Sequence, residues 1–288
     1  MIYCKEDLKL SGCRLRRHNF RPEAGTPIRG SAFHFHGQGD FSERYGKFLQ
    51  PFWQKGIVCV ATDFPGHGQS HGTRGHVPGF EIVDQIAASN RKRCRELVKD
   101  DEAPSGILGH SAGGLMTLRE ILLNPDLYDF SWISSPLVRP DANQNPALIP
   151  LARLLARIFP RFTISTGVNH AKCSRQPDHS RKSGDSQHIH SRVSVSWGYS
   201  MIRSAEWMRS TIRSAPPRIP ILITQGLLDP VCPPEHLHAL LESASLPRLT
   251  LREFPEALHE PFSDNTREEL FQEISNWIEK ESIVRDPR

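Results

Sequence analysis

The sequence predicts an α/β protein: a mostly parallel sheet with helices on both faces and one helical insertion. Three observations predict it. From residue 31 onward, short apolar runs alternate with longer segments of helical character, as in chains built of βα units. The alternation stops near Asp141 and resumes after Pro217. The 288 residues are enough for one large α/β domain that carries an insertion.

In chain order, "SAFHFHG" reads as a strand, "FSERYGKFLQPFWQKG" as a helix closed by Gly56, and "IVCVATDF" as the next strand. "VDQIAASNRKRCRELVKD" is a helix, "SGILGH" a strand, "AGGLMTLREILLN" a helix and "FSWISSP" a strand. Between Asp141 and Pro217 no segment reads as a buried strand. Leu148, Leu151, Leu155 and Phe159 form one helical apolar stripe there, and Trp197, Met201, Ala205, Met208 and Ile212 form a second. Arg153, Arg157, Arg203 and Arg209 take other positions. Two amphipathic helices joined by a polar loop suit a cap, so residues 139–215 are expected to be a helical cap and residues 1–138 and 216–288 the core. After it come the strand "IPILITQG", a helix through "EHLHALLESA", the strand "RLTLREF" and the helix "REELFQEISNWIEK", which Asn265 or Thr266 can cap.

Composition narrows the class. The formal charge of +4 is mildly basic, and the densest cationic run, from Asn90, has no interleaved aromatics. It reads as a solvated helix face rather than a nucleic-acid patch. Six scattered cysteines, one inside an apolar strand, favour free thiols over a disulfide framework. The first twenty residues carry charges where a signal peptide needs an apolar core, and no run approaches about 18 apolar residues. A cytoplasmic protein is expected.

"GHSAG", Gly109 to Gly113, matches the G-x-S-x-G nucleophile elbow and stands between a strand and a helix, the context that motif needs. A serine hydroxyl needs a base within hydrogen-bond reach, and the base needs a group that orients it. Asp229 follows the strand "IPILITQG" and His259 follows "RLTLREF". Loops at the carboxyl ends of parallel strands meet at one edge of a sheet. "HGQG", His36 to Gly39, leaves an early strand with small residues that let backbone N–H groups face the elbow. The N–H groups of Gln38 and Ala112 are the expected oxyanion hole.

Together and in this order, "FHFHGQGDFSERY", "DFPGHGQSHG", "GHSAGG", "GLLDPVCPP" and "LHEPFSD" resemble the α/β-hydrolase group that contains monoacylglycerol lipases and bacterial lysophospholipases. The likeness runs over most of residues 31–280 and is weakest in the insertion. It implies an α/β-hydrolase fold, catalytic Ser111, Asp229 and His259, and a cap that admits an acyl chain. It also implies a glycerol or lysophospholipid ester as substrate. A triad mechanism needs no cofactor, and the cap is expected to make transient contact with a membrane or micelle surface.

Each residue has a plainer reading. Ser111 can be a packing turn, and Asp141, after the strand that ends near Pro136, rivals Asp229 as the acid. Asp63 precedes the serine and reads as a loop-shaping residue. His110 belongs to the elbow, His236 and His238 to a surface helix, His36 to the support of the oxyanion loop, and His34 to a strand as a satisfied residue. His170, Cys173, His179, Asp185, His188 and His190 are of metal-ligating types, but their spacing fits no metal pattern, so no metal is expected. Most of the cap stripes must pack on the core, and Trp197, Met201 and Met208 are the candidates for lining a pocket. An aminopeptidase with the same triad, holding a substrate ammonium on a carboxylate pair that includes Glu260, is one alternative function. A relative that binds a ligand without turnover is another.

Overall fold

The computed structural model describes residues 1–142, 149–176 and 187–284. Eight strands form one sheet in the order β1-β2-β4-β3-β5-β6-β9-β10: β1 Ile2–Leu10, β2 Cys13–Arg21, β3 Gly30–Phe35, β4 Ile57–Thr62, β5 Ser105–His110, β6 Phe130–Ser134, β9 Ile221–Gly226 and β10 Leu249–Phe254. From β4 to β10 every pairing is parallel, and β3, β4, β6 and β9 are buried at every residue. Helices on both faces require this, because a strand covered twice has no wet side. Helices α2 (Phe80–Val98), α3 (Ala112–Leu123), α5 (Val195–Ser214) and α6 (Pro234–Ser243) contribute to the core on one face. Helices α1 (Gln50–Gln54) and α7 (Arg267–Lys280) contribute to the core on the other.

Three departures from the sequence reading have local causes. The sheet begins before residue 31, with an antiparallel β1–β2 hairpin. Its turn is Ser11-Gly12 with φ of 44° and 80°, the left-handed pair that a two-residue hairpin turn requires. The single helix expected over "FSERYGKFLQPFWQKG" is two short pieces, a 3₁₀ turn at Ser42–Gly46 and then α1. Thr266 stands at the N-cap of α7, but its side chain does not cap the helix and bonds the Pro261 carbonyl instead.

Between β6 and β9 the chain leaves the sheet and forms α4 (Ile149–Ile158), a small antiparallel pair β7 (Thr163–Ser165) and β8 (Arg192–Ser194), and α5. The α5 stripe Trp197, Met201, Ala205, Met208 and Ile212 is buried, each large member contributing roughly 1.5–3 kcal/mol by leaving water. The α4 stripe is not: Leu151 is 49% and Phe159 59% exposed, and α4 has no buried residue. Helix α4 lies on α5 rather than on the core, which leaves its outer side in solvent. Leu148 of that stripe lies outside the described residues. All six cysteines are free thiols. Among the described residues no helix is long and apolar enough to cross a membrane.

Strand order reverses at β3: the chain passes from β3 to β4 on one side and then crosses to β5 on the other. Loops leaving β3 and β5 therefore diverge and open a crevice at the carboxyl edge of the sheet.

Candidate active site

Ser111 sits in that crevice between β5 and α3 with φ 55° and ψ −120°, a backbone conformation that costs a non-glycine residue about 1–3 kcal/mol. The surroundings enforce it. Ser111 N–H donates to the Ser134 carbonyl at 3.0 Å, and the Ser111 carbonyl accepts from Leu137 N–H at 3.0 Å and Gly114 N–H at 2.9 Å. The elbow also needs Gly113, where a Cβ would lie 2.0 Å from the Phe35 carbonyl oxygen. Gly113→Ala is expected to destabilise the fold by about 3 kcal/mol through overpacking, and an unchanged urea midpoint would contradict the elbow packing.

His259, in the loop after β10, donates its Nδ1–H to Asp229 Oδ2 at 2.8 Å, and both residues are buried. Asp229 is held from three sides. Its Oδ1 accepts from Val231 N–H (2.7 Å) and Cys232 N–H (2.9 Å), and its Oδ2 accepts from the Gln225 amide (3.1 Å). Burial works against the imidazolium, but the charge and hydrogen bond of Asp229 outweigh it, so His259 titrates above the ordinary histidine value. Ser111 Oγ makes no hydrogen bond to His259 here and lies 4.0 Å from Cys232 Sγ. Contacts of this kind often tighten only around a substrate.

Gly37, Gln38, Ser111 and His259 line one cavity of about 360 Å³. Ala112 follows Ser111 as the first residue of α3 and is buried. His36 props up the loop: it accepts Phe64 N–H at Nε2 (3.1 Å) and donates Nδ1–H to the Gly37 carbonyl (2.8 Å).

The profile of the hydrolase family described as serine aminopeptidase, S33, matches residues 26–266. The chain belongs to the S33 family. This S33-family chain is similar to rat monoglyceride lipase, with 26% identity over 272 residues that cover 92% of this chain and 87% of that one. It is 28% identical over 251 residues to an uncharacterized abhydrolase domain-containing protein of Dictyostelium discoideum. That match covers 85% of this chain but only 26% of the larger protein. Among solved structures, the monoacylglycerol lipase of Paleococcus ferrophilus superposes with a TM-score of 0.81 at 30% identity, over 93% of this chain and 99% of that one. The fold is the α/β-hydrolase fold.

The remaining candidates of the S33-family chain separate clearly. Asp141 pairs with Arg139 at 3.1 Å and lies 3.8 Å from Arg209, while the imidazole is bonded to Asp229. Asp63 accepts from Ser42 N–H and Gln69 N–H at 2.7 and 2.8 Å and stands beside His18. Burial would raise its pKa, yet the His18 hydrogen bond and charge hold it well below the carboxylate range. His110 donates Nδ1–H to the Ser134 carbonyl at 3.1 Å, and its ring packs on His259 and Phe262. His236 and His238 are half-buried on α6, with His238 on Glu253 at 2.5 Å. His34 departs from expectation: neither ring nitrogen has a partner, and the ring instead lies on Tyr45 at 4.2 Å.

Of the three expected pocket residues, Met201 lines the cavity, whereas Trp197 and Met208 are fully buried and do not. The α5 stripe faces the core. The cavity is met about a quarter turn round the helix, by Val195, Gly198, Tyr199 and Ile202. In the insertion, His190 packs at a tilt on His67 with 4.8 Å between centroids, His188 packs on Phe41, and Cys173 faces the Asn169 carbonyl. His179 and Asp185 lie outside the described residues. Among the described residues the one trio of metal-type ligands is Asp229, Cys232 and His259, of which two already bond each other.

One feature of the cavity wall escaped the sequence reading. Arg44, its side chain 7% exposed, bonds Asp40 Oδ2 at 2.6 Å and also Glu260 Oε2, while Tyr45 donates to Asp40 at 2.7 Å. Asp40 and Arg44 stand four residues apart in "DFSER", the one local signal available. Their link to Glu260 exists only in the folded chain.

Proposed function

We propose that the chain is a serine esterase that hydrolyses carboxylic esters with an apolar acyl chain, of the monoacylglycerol or lysophospholipid type. One observation carries the reading: Ser111, on a strained strand-to-helix turn, shares a cavity with a buried histidine already bonded to a buried aspartate. Ser111 Oγ turns from the Cys232 side towards Nε2 of His259 and attacks the ester carbonyl. His259 takes the proton and delivers it to the leaving alcohol. Asp229 holds the tautomer with Nε2 free and stabilises the imidazolium. The N–H groups of Gln38 and Ala112 receive the oxyanion, a donor being worth about 3–4 kcal/mol in such a site. Water, deprotonated by His259, then releases the acyl-enzyme. No metal or organic cofactor takes part.

Residues 139–215 act as the cap over a core of residues 1–138 and 216–288. Its apolar cavity lining, including Ile149, Ile164, Val193 and Ile202, receives the acyl chain. The exposed Leu151, Leu154, Ile158 and Phe159, with Arg153 and Arg157 on the same helix, support transient contact with a lipid surface. Relatives named as monoglyceride lipases and a phospholipase of Bacillus subtilis support the substrate class. The aminopeptidase alternative needs carboxylates free for an ammonium group, and both Asp40 and Glu260 are bonded to Arg44.

The test is a panel of p-nitrophenyl esters of graded chain length with a monoglyceride, a lysophospholipid and an aminoacyl anilide. Turnover of the longer esters and of one of the two lipids is expected, with none of the anilide. Anilide cleavage would replace the reading by the peptidase, and stoichiometric ligand binding without turnover would replace it by a binding protein.

A further inference from the structure

We propose that Trp197 is a positioning residue for the oxyanion loop: its indole N–H fixes the Gln38 side chain and so orients the peptide that receives the oxyanion. The inference rests on the esterase reading above. Trp197 lies in the first turn of α5, where its backbone N–H donates to the N-cap Ser194 Oγ at 3.3 Å. Its ring is fully buried and packs on Phe80 with 4.9 Å between centroids. From there the indole Nε1–H reaches across 159 positions of sequence to Gln38 Oε1 at 2.9 Å.

The other end of the same amide is also engaged, since Gln38 Nε2–H donates to the Arg192 carbonyl at 2.8 Å. One residue further, His190 N–H donates to the Gly39 carbonyl at 2.9 Å. Three hydrogen bonds thus fasten residues 38–39 to the stretch 190–197. A glutamine held for ligand recognition would keep one end of its amide for the ligand. Here both ends serve the fold, and what they hold is the residue whose backbone N–H is assigned above to the oxyanion. A long amide side chain with no anchor samples several rotamers, and the peptide at its base follows. The indole bond removes that freedom before substrate arrives, the preorganisation on which oxyanion stabilisation depends.

Trp197→Phe keeps an aromatic ring on Phe80 and deletes the N–H. We expect kcat on a p-nitrophenyl ester to fall about tenfold, a fraction of the effect of losing one whole oxyanion donor, with KM within about twofold. Affinity for a boronic acid, which forms an anionic tetrahedral adduct, should fall in parallel. Gln38→Met, similar in length but without the amide, should lose as much, and the double variant no more than either alone. A wild-type kcat in Trp197→Phe, or losses that multiply in the double variant, would overturn the proposal. If Trp197→Phe does not fold, Gln38→Met in the intact aromatic setting decides, a wild-type kcat again being the contrary result. Ser111→Ala run alongside separates the two levels. If it turns over ester like wild type, the esterase reading fails. If it is inactive while Trp197→Phe is fully active, only the positioning role fails.

Discussion

Ser111→Ala should remain folded and lose ester hydrolysis by about 10⁶ in kcat, the scale seen when a nucleophilic serine is removed from a triad. Labelling by an alkyl fluorophosphonate should vanish with it. The fold is spared because what holds the elbow is backbone: the carbonyl of Ser134, the N–H groups of Leu137 and Gly114, and the close seat of Gly113 against Phe35. The hydroxyl itself makes only a 4.0 Å contact with Cys232. A native melting midpoint together with undiminished turnover would remove Ser111 from the mechanism.

Asp229→Asn is the second large effect. It should lower kcat by about 10⁴, the cost of leaving the histidine in the wrong tautomer, while Asp141→Asn stays within a few-fold of wild type. The geometry explains the contrast, since Asp229 receives the His259 Nδ1–H and Asp141 sits on Arg139. The reverse result would transfer the acid role to Asp141.

The pH profile follows from the same bond. In the proposed mechanism His259 acts as a base only when neutral, so activity is expected to rise with pH through its proton loss, as a pH–rate profile on a p-nitrophenyl ester would check. Asp229 holds that step above the ordinary value of about 6.5. In Asp229→Asn the largest raising influence is gone while burial still disfavours the imidazolium, so the acid limb of the residual activity is expected at lower pH. The sign for stability is opposite to that for activity. A histidine raised on folding contributes stability that is complete below its unfolded pKa and is lost as pH rises through the folded one.

Much of the fold is legible locally. Strands β3, β4, β6 and β9 coincide with apolar runs, because strands covered on both faces must be apolar throughout, whereas the edge strand β10 keeps Arg252 and Glu253 in solvent. The N-terminal hairpin is not legible for the complementary reason. Strand β1 is half-wet and carries charges at Lys5, Glu6, Asp7 and Lys9, so only the Ser11-Gly12 turn marks it. The pair β7–β8 is three residues long on each side and partly exposed, and so leaves no apolar run to read.

The chain's order of strands and loops by itself determined that Gln38, Ser111, Asp229 and His259 fall at carboxyl ends of strands, since alternation of β and α segments makes the strands parallel. It also determined the turn at Ser111, because glycines at 109 and 113 are what so close a strand-to-helix crossing needs. Only the tertiary structure decided which face of α5 meets the cavity. Period records that Trp197, Met201 and Met208 share a stripe, but rotation of the helix about its axis is set by what it packs against. The core took most of the stripe, and the cavity took Met201 and residues beside it. The tie from Trp197 to Gln38 and the Arg44 link from Asp40 to Glu260 are likewise properties of the fold, because hydrogen bonds and ion pairs between distant segments carry no local pattern.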